Sequence, residues 1–232
     1  MKVHTSSQYE RDLKDVKESL VYLGALVEKA IDKAVKALLD RDSDLARDTV
    51  AGDRVIDRLD EEIEEKCITL LALRQPIARD LRFITTAIKI NGHLERIGDM
   101  AVTIAKRAIA LNEEPQLKPY IDLPRMAEIA EGMIRNSLDA LIQEDVTLAN
   151  RVRREDDIID KLNEQIFREL LTFIMEDPKT THRALLIMQI SKNLERISDH
   201  AKSIADMVIF QVTGKNVRHE YPGEPNGAAS RE

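Results

Sequence analysis

Residues 94–105 read LERIGDMAVTIA, and residues 194–205 read LERISDHAKSIA, so nearly the same segment occurs twice, 100 positions apart. Each copy carries apolar residues at helical spacing and an acid-x-x-x-acid pair. A second pair of similar segments, residues 45–65 and 148–168, precedes the two copies at an offset of 103. The two halves therefore share one order of elements, which indicates an internal duplication.

Helical periodicity extends along almost the whole chain, starting with Leu13, Val16 and Leu20. Proline and polar clusters interrupt it at 40–44, Pro76, 112–124, 143–147 and 176–179. The predicted fold is all-α, with six long helices arranged as two pseudo-symmetric antiparallel three-helix bundles. We expect the first bundle at 5–114, the second at 120–216, and a disordered tail rich in Gly and Pro at 220–232.

The composition suits a soluble helical protein, with 43% hydrophobic, 33% charged and only 3% aromatic residues. The formal net charge of −7 argues against a nucleic-acid binder, which normally presents a basic face. The single cysteine, Cys67, cannot form an intramolecular disulfide, which favours a reducing compartment. The first residues contain no apolar signal region, and no apolar run reaches membrane-spanning length. The expected location is the cytoplasm.

Four acid-x-x-x-acid pairs occupy equivalent places in the two halves: Asp53/Asp57 and Glu95/Asp99, then Asp156/Asp160 and Glu195/Asp199. Residues four apart share a helix face, so each pair directs two carboxylates the same way. Glu61 and Glu164 extend one pair of each half by a further turn. If the second and third helices of a bundle lie side by side, the carboxylates meet without compensation. A hard cation such as Mg, Ca, Mn or iron would neutralise them.

The pattern alone leaves a metal site and a solvated acidic face equally open. With 42 acidic residues among 232, chance alone gives roughly seven such pairs. Two features favour a site: the pairs recur in both halves, and each like-charge pair costs its helix about 0.2–0.5 kcal/mol. His93 and His200 lie beside the motifs and are candidate extra ligands, although a lone helical histidine is more often structural.

Two further classes of helical protein could carry such acidic pairs. A ferritin-like di-iron oxidase needs Glu-x-x-His pairs. The residues three before the five histidines are Met1, Ile90, Lys179, Ile197 and Asn216, so none is Glu. The chain also lacks a Gly-rich phosphate loop and a G-x-S-x-G motif, so no enzymatic activity is expected. A purely structural helical adaptor, with its acidic pairs in solvent, remains open.

The two LER segments, together with residues 76–90 (PIARDLRFITTAIKI) and 212–219 (VTGKNVRH), resemble the duplicated signature of the PhoU family of phosphate transport regulators. The resemblance covers residues 5–219. It identifies the family's metal-binding motif with Asp53, Asp57, Glu95, Asp99, Asp156, Asp160, Glu195 and Asp199. Residues 176–186 (EDPKTTHRALL) depart from the first half, so equal affinity at the two sites is not implied.

Membership of this family implies a cytoplasmic, non-catalytic negative regulator of the phosphate-starvation response that also modulates high-affinity phosphate uptake. The implied partners are the ATPase subunit of the phosphate ABC transporter and a phosphate-sensing histidine kinase, so contact with the membrane is through partners only. Family members are frequently homodimers and carry iron, zinc, manganese or magnesium, in some cases as multinuclear clusters. From the residues themselves, we do not expect an anion site beside so many carboxylates unless a metal bridges it.

Overall fold

A computed structural model describes residues 2–74 and 76–218, with side chains from Ser7 onward. These ranges form six long helices: α1 Lys2–Leu39, α2 Ser43–Arg74, α3 Ala78–Asn112, α4 Asp122–Gln143, α5 Val146–Glu176 and α6 Thr181–Thr213. A short 3-10 turn, Pro178–Thr180, precedes α6, and the described ranges contain no strand. The predicted all-α fold with six helices is confirmed. The tail predicted at 220–232 lies outside the described residues.

The helices end at the interruptions that the sequence predicts, and local caps explain several of these ends. Asp42 Oδ1 accepts the backbone N–H of Leu45 at 2.9 Å and so caps the start of α2. Asp145 Oδ1 accepts the N–H of Leu148 at 3.0 Å and caps α5 in the same way. Gly214, with a φ of +74°, ends α6 in the left-handed conformation that glycine adopts without strain.

Each half of the chain packs as a three-helix bundle around its own stripe of apolar side chains. Helices α1, α2 and α3 contact one another in the first bundle, and α4, α5 and α6 do so in the second. The repeated segments supply much of both cores, because Leu94, Ile97, Leu194 and Ile197 are fully buried. One face of the duplicated motif is therefore apolar and packs in the core, while another face carries the acidic residues. The exact division into bundles at 5–114 and 120–216 stays a prediction.

The two bundles meet through α3 against α6 and α1 against α4. Helices α3 and α6 run antiparallel: His93 lies opposite His200, and Arg82 donates to the carbonyl of Gln211 at 3.3 Å. Helices α1 and α4 approach closely at Gly24, where an added Cβ would lie 2.1 Å from Cδ1 of Leu138, so a larger residue there would force the Leu138 side chain to move. The interface between bundles is thus continuous with both cores.

None of the helices in the described ranges is long and apolar enough to cross a membrane. Cys67 is fully buried in α2, and burial, ahead of the charge of Glu64, raises the pKa of its thiol to about 11. A thiol with such a pKa stays protonated at neutral pH, so Cys67 is a core residue of the first bundle.

Candidate functional site

The first carboxylate cluster lies where α2 packs on α3. Asp53 and Asp57 come from α2, and Glu95 and Asp99 come from α3. Burial, followed by the charges of Asp57 and Asp99, raises the pKa of Asp53. Burial, followed by the charge of Asp99, likewise raises the pKa of Glu95. The four carboxylates that the spacing predicts to converge therefore do interact electrostatically across the two helices.

Asp60 belongs to the same acidic surface, although sequence reasoning missed it. Burial and the charges of Glu64 and Asp57 raise the pKa of Asp60, and its own charge contributes to the raised pKa of Glu95. The side-chain amide of Asn91 donates a hydrogen bond to Asp60, with Asn91 Nδ2 2.6 Å from Asp60 Oδ1. Asp60 lies three residues after Asp57, outside the acid-x-x-x-acid frame. Acidic residues recur along α2 at spacings of three as well as four residues, and this wider pattern could have identified Asp60.

The second cluster lies in the equivalent place, between α5 and α6. Asp156 and Asp160 come from α5, while Glu195 and Asp199 come from α6. Burial, followed by the charges of Glu195, Asp156 and Asp160, raises the pKa of Asp199 to about 6. Asp156 is only 1% exposed, and its Oδ1 atom has no hydrogen-bond partner among the described residues. A buried carboxylate oxygen without a partner is costly unless something else satisfies it.

Two lysines form direct ion pairs with the second cluster, whereas at the first the charge of Lys106 only opposes the raised pKa of Asp53. Lys202 Nζ lies 2.6 Å from Asp156 Oδ2, and Lys192 Nζ lies 2.5 Å from Glu195 Oε2. The residue equivalent to Lys202 in the first half is Val102, which is buried. The sequence-based expectation that both clusters are uncompensated is therefore wrong for the second, where α6 supplies a cation to α5.

The donor chemistry of both clusters fits a hard cation, since every predicted ligand is a carboxylate, and burial followed by mutual repulsion raises several of their pKa values. The unsatisfied Oδ1 of Asp156 points to the same conclusion for the second cluster. Within residues 2–74 and 76–218, no three His, Cys, Asp or Glu side chains are already arranged as ligands of one ion. The carboxylates would therefore have to turn toward a metal as it binds.

The two histidines beside the motifs contact each other. The Nδ1 atoms of His93 and His200 lie 2.6 Å apart, and the rings cross at 63° with centroids 4.9 Å apart. Burial lowers the pKa of each to about 4; for His93 the charge of His200 is the next largest cause. Both rings are then neutral at pH 7, so one Nδ1–H can donate to the other Nδ1. The hypothesis that they complete the carboxylate sites gains no support from this placement.

These features define a class of protein: an all-α chain of two duplicated three-helix bundles, each carrying an acidic cluster between its second and third helices. The sequence profile of the PhoU domain matches residues 20–108 and 123–208, one match in each bundle. The chain therefore belongs to the PhoU family.

Relatives and solved structures agree with this assignment. The phosphate-specific transport system accessory protein PhoU homolog of Aquifex aeolicus is 42% identical over 211 residues, covering 91% of this chain and 96% of that protein. The homolog of Pseudomonas aeruginosa is 41% identical, covering 93% and 90%. The crystal structure of PhoU from Pseudomonas aeruginosa superposes with a TM-score of 0.86 at 40% identity, covering 89% of this chain and 100% of that one.

A more distant crystal structure, the phosphate transport system regulatory protein PhoU from Streptococcus pneumoniae, gives a TM-score of 0.83 at 26% identity. It covers 90% of this chain and 99% of its own. The prediction that the chain is not an enzyme is confirmed by the family, because its members are named accessory proteins.

Proposed function

We propose that this protein is an accessory regulator of phosphate transport that restrains high-affinity uptake and the phosphate-starvation response when phosphate is plentiful. The observation that carries the proposal is full-length similarity: relatives named as accessory proteins of phosphate-specific transport match 91% and 93% of the chain at 42% and 41% identity. The relative from Streptococcus pneumoniae is named a regulatory protein of the phosphate transport system, which supports a regulatory role in particular.

The proposed mode of action is that of a cytoplasmic adaptor between the ATPase subunit of the phosphate ABC transporter and a phosphate-sensing histidine kinase. Two long bundles packed side by side offer separate surfaces to two partners, and homodimer formation would double them. Regulation would follow from which partner is bound, as a shift between bound populations. The net charge of −7 argues against nucleic acid as a partner.

The proposed cofactors are divalent or trivalent metal ions, namely iron, zinc, manganese or magnesium, held singly or as clusters. The first site would use Asp53, Asp57, Glu95 and Asp99, and the second Asp156, Asp160, Glu195 and Asp199. A bound cation would supply the positive charge that joins the two helices of each cluster. Both the raised pKa of Asp199 and the unsatisfied oxygen of Asp156 support this proposal, since each would be relieved by such a charge.

The regulatory proposal is tested in a deletion strain that carries a phosphate-starvation reporter. In high phosphate the reporter should be active without this protein and silent once the wild-type chain is restored. A reporter that stays silent in the deletion strain would contradict the regulatory role. Pull-down of the transporter ATPase and of the kinase by the purified chain then tests each partner separately.

The metal proposal is tested by elemental mass spectrometry of the tag-free protein after reconstitution. Glu95→Ala/Asp99→Ala should remove the metal of the first bundle, and Glu195→Ala/Asp199→Ala that of the second. The control for loss of charge alone is Asp40→Ala/Asp44→Ala, an exposed acidic pair of the same spacing at the junction of α1 and α2. Helicity is checked by circular dichroism. Absence of metal from the reconstituted wild type would leave the acidic pairs as a surface for partners.

A further inference from the structure

A second polar feature of the fold lies apart from the first carboxylate cluster and next to the second, because its residue Asp206 pairs with Arg153, one turn before Asp156 on α5. A cavity of about 150 Å³ opens between α3, α6 and the segment that follows α6. Phe210 forms part of its apolar wall. The polar and charged side chains that line it include Thr86, Lys89, Ser203, Asp206, Asn216 and Arg218.

On α3, the cavity and the first carboxylate cluster use different faces of the helix, whereas on α6 the cavity residues Ser203 and Asp206 follow Asp199 of the second cluster along one face. Thr86 and Lys89 lie three residues apart on α3, and His93, one turn further along, also lines the cavity. Glu95 lies two residues beyond His93, which at 100° per residue places it on the other side of α3. The cavity therefore lies on the face of α3 that packs against α6, whereas the first carboxylate cluster lies on the face toward α2.

A buried ion pair holds the last described segment over this cavity. Arg153 of α5 is 5% exposed; its Nε atom lies 2.7 Å from Asp206 Oδ1, and its Nη2 donates to the carbonyl of Val217 at 2.9 Å. Asn216 Oδ1 accepts the backbone N–H of Arg218 at 3.1 Å, which shapes the turn. Burying a charged pair is expensive, so its use to fix a segment after the last helix suggests that the segment's position matters.

The charge around the cavity is mainly positive. Lys89 and Arg218 line it, and Arg153 lies directly behind Asp206, so three cations surround one carboxylate. Burial raises the pKa of Asp206 and lowers that of His93, and the positive charge of Arg218 acts on both groups as a smaller cause, so its guanidinium lies close to the cavity. The hydroxyl groups of Thr86 and Ser203 add neutral hydrogen-bond donors.

We propose that this cavity binds a small tetrahedral oxyanion and selects free inorganic phosphate. Cationic and hydroxyl donors around one point suit phosphate oxygens. The volume lies below the roughly 300–1,000 Å³ of typical ligand pockets, which favours the free ion over a phosphoryl group on a larger molecule. Asp206 has a second carboxylate oxygen that can accept the proton of HPO₄²⁻. Sulfate carries no proton at neutral pH and would be repelled there.

The proposed site does not depend on the regulatory role, because binding is measured on the purified chain alone. Equilibrium dialysis with radiolabelled inorganic phosphate, in a chelating buffer that removes metal from the carboxylate clusters, should show saturable binding to the wild type. Lys89→Met and Arg218→Met should each weaken binding at least tenfold, as expected for the loss of one charge-assisted hydrogen bond. Lys89 and Arg218 are exposed, so neither variant should disturb folding.

The matched control is Lys215→Met, which removes an exposed lysine of the same segment that does not line the cavity. It should bind phosphate as the wild type does. Equal weakening in all three variants would mean a diffuse charge effect and would overturn the proposal, as would the absence of saturable binding at millimolar phosphate. A preference for phosphoserine over free phosphate would overturn the assignment to the free ion.

Selectivity is tested by competition with sulfate. The wild type should prefer phosphate, whereas Asp206→Asn, checked for helicity by circular dichroism, should bind the two anions about equally. Retention of the full preference for phosphate in this variant would show that Asp206 is not the acceptor.

Discussion

His93 of α3 and His200 of α6 join the two bundles through a direct contact between their Nδ1 atoms, which lie 2.6 Å apart. The duplication does not repeat this pair, since the equivalent positions in the opposite halves are Asn193 and Met100. Burial keeps both rings neutral by lowering each pKa to about 4. Neutral rings can share one hydrogen bond, whereas two protonated rings at this distance would repel each other.

The histidine pair should therefore stabilise the metal-free protein less as the pH falls from about 6.5 towards 4, because the unfolded chain takes up protons on these histidines before the folded chain does, whereas the raised pKa of Asp199 acts in the opposite direction. We expect a contribution on the order of 2 kcal/mol for the pair after solvent screening. Relative to the wild type, the double variant His93→Asn/His200→Met should gain stability against urea on going from pH 7.5 to pH 5.

The control for this experiment is His182→Asn, which removes an exposed histidine at the start of α6. The Nδ1 atom of His182 lies 2.6 Å from Glu114 Oε1, so this variant separates the effect of the buried pair from that of a surface histidine contact. If the double variant also keeps the full acid sensitivity of the wild type, the histidine pair does not cause it.

The contact between Lys202 and Asp156, 2.6 Å long, makes the two carboxylate clusters unequal. A metal entering the second cluster has to compete with the lysine, while the first cluster has Val102 at the equivalent place. Lys202→Met should tighten metal binding by the second cluster about tenfold, which corresponds to about 1.4 kcal/mol. The manganese affinity of the second cluster is measured by dialysis against a series of manganese concentrations followed by elemental analysis. Both proteins carry Glu95→Ala/Asp99→Ala, which removes the first site.

Lys161→Met serves as the control, since Lys161 is an exposed lysine of α5. It should leave manganese binding unchanged. Unaltered binding in Lys202→Met as well would mean that the lysine moves aside without cost, and the proposed competition would be wrong.

Local signals in the sequence were sufficient for the helices and for the acidic pairs. The breaks at 40–44 and Pro76 were predictable because capping groups and proline act within a few residues. The pairing of Asp53 with Asp57 and of Glu95 with Asp99 follows from helical spacing alone. The placement of α2 against α3 entered only as a condition of the predicted three-helix bundle, because periodicity alone does not give it.

Features that depend on contacts between helices were not predictable in the same way. Helices distant in sequence must be placed relative to one another before two contacts can be predicted. These are the contact of Lys202 with Asp156 of α5 and that of His93 with His200. The folding back of residues 214–218 depends on Arg153, which lies 64 residues from Val217 in the chain. A single sequence gives no indication of such long-range contacts when the duplication does not repeat the residues that form them.

Gly24 and Gly132 form a matched pair for testing the packing of α1 against α4. A Cβ at Gly24 would lie 2.1 Å from Leu138 Cδ1, whereas a Cβ at Gly132 would meet nothing within 4 Å. Gly24→Ala should destabilise the fold by about 1–3 kcal/mol through overpacking. Gly132→Ala should stabilise it by about 0.5–1 kcal/mol, because alanine is the better helix former. Urea denaturation checks both, and a neutral Gly24→Ala would show that the Leu138 side chain turns aside without cost.

The buried pair of Arg153 and Asp206 offers a test of the segment that closes the phosphate cavity. Arg153→Met leaves Asp206 half-buried without its 2.7 Å partner and should lower the free energy of unfolding by about 3–5 kcal/mol. The double variant Arg153→Met/Asp206→Leu removes both charges and should recover much of that loss. It should not recover all of it, because the carbonyl of Val217 still lacks the hydrogen bond from Arg153.

Hydrogen exchange should then show faster exchange after Gly214 in both variants while α5 and α6 remain protected. Unchanged exchange there would mean that Arg153 does not hold the segment.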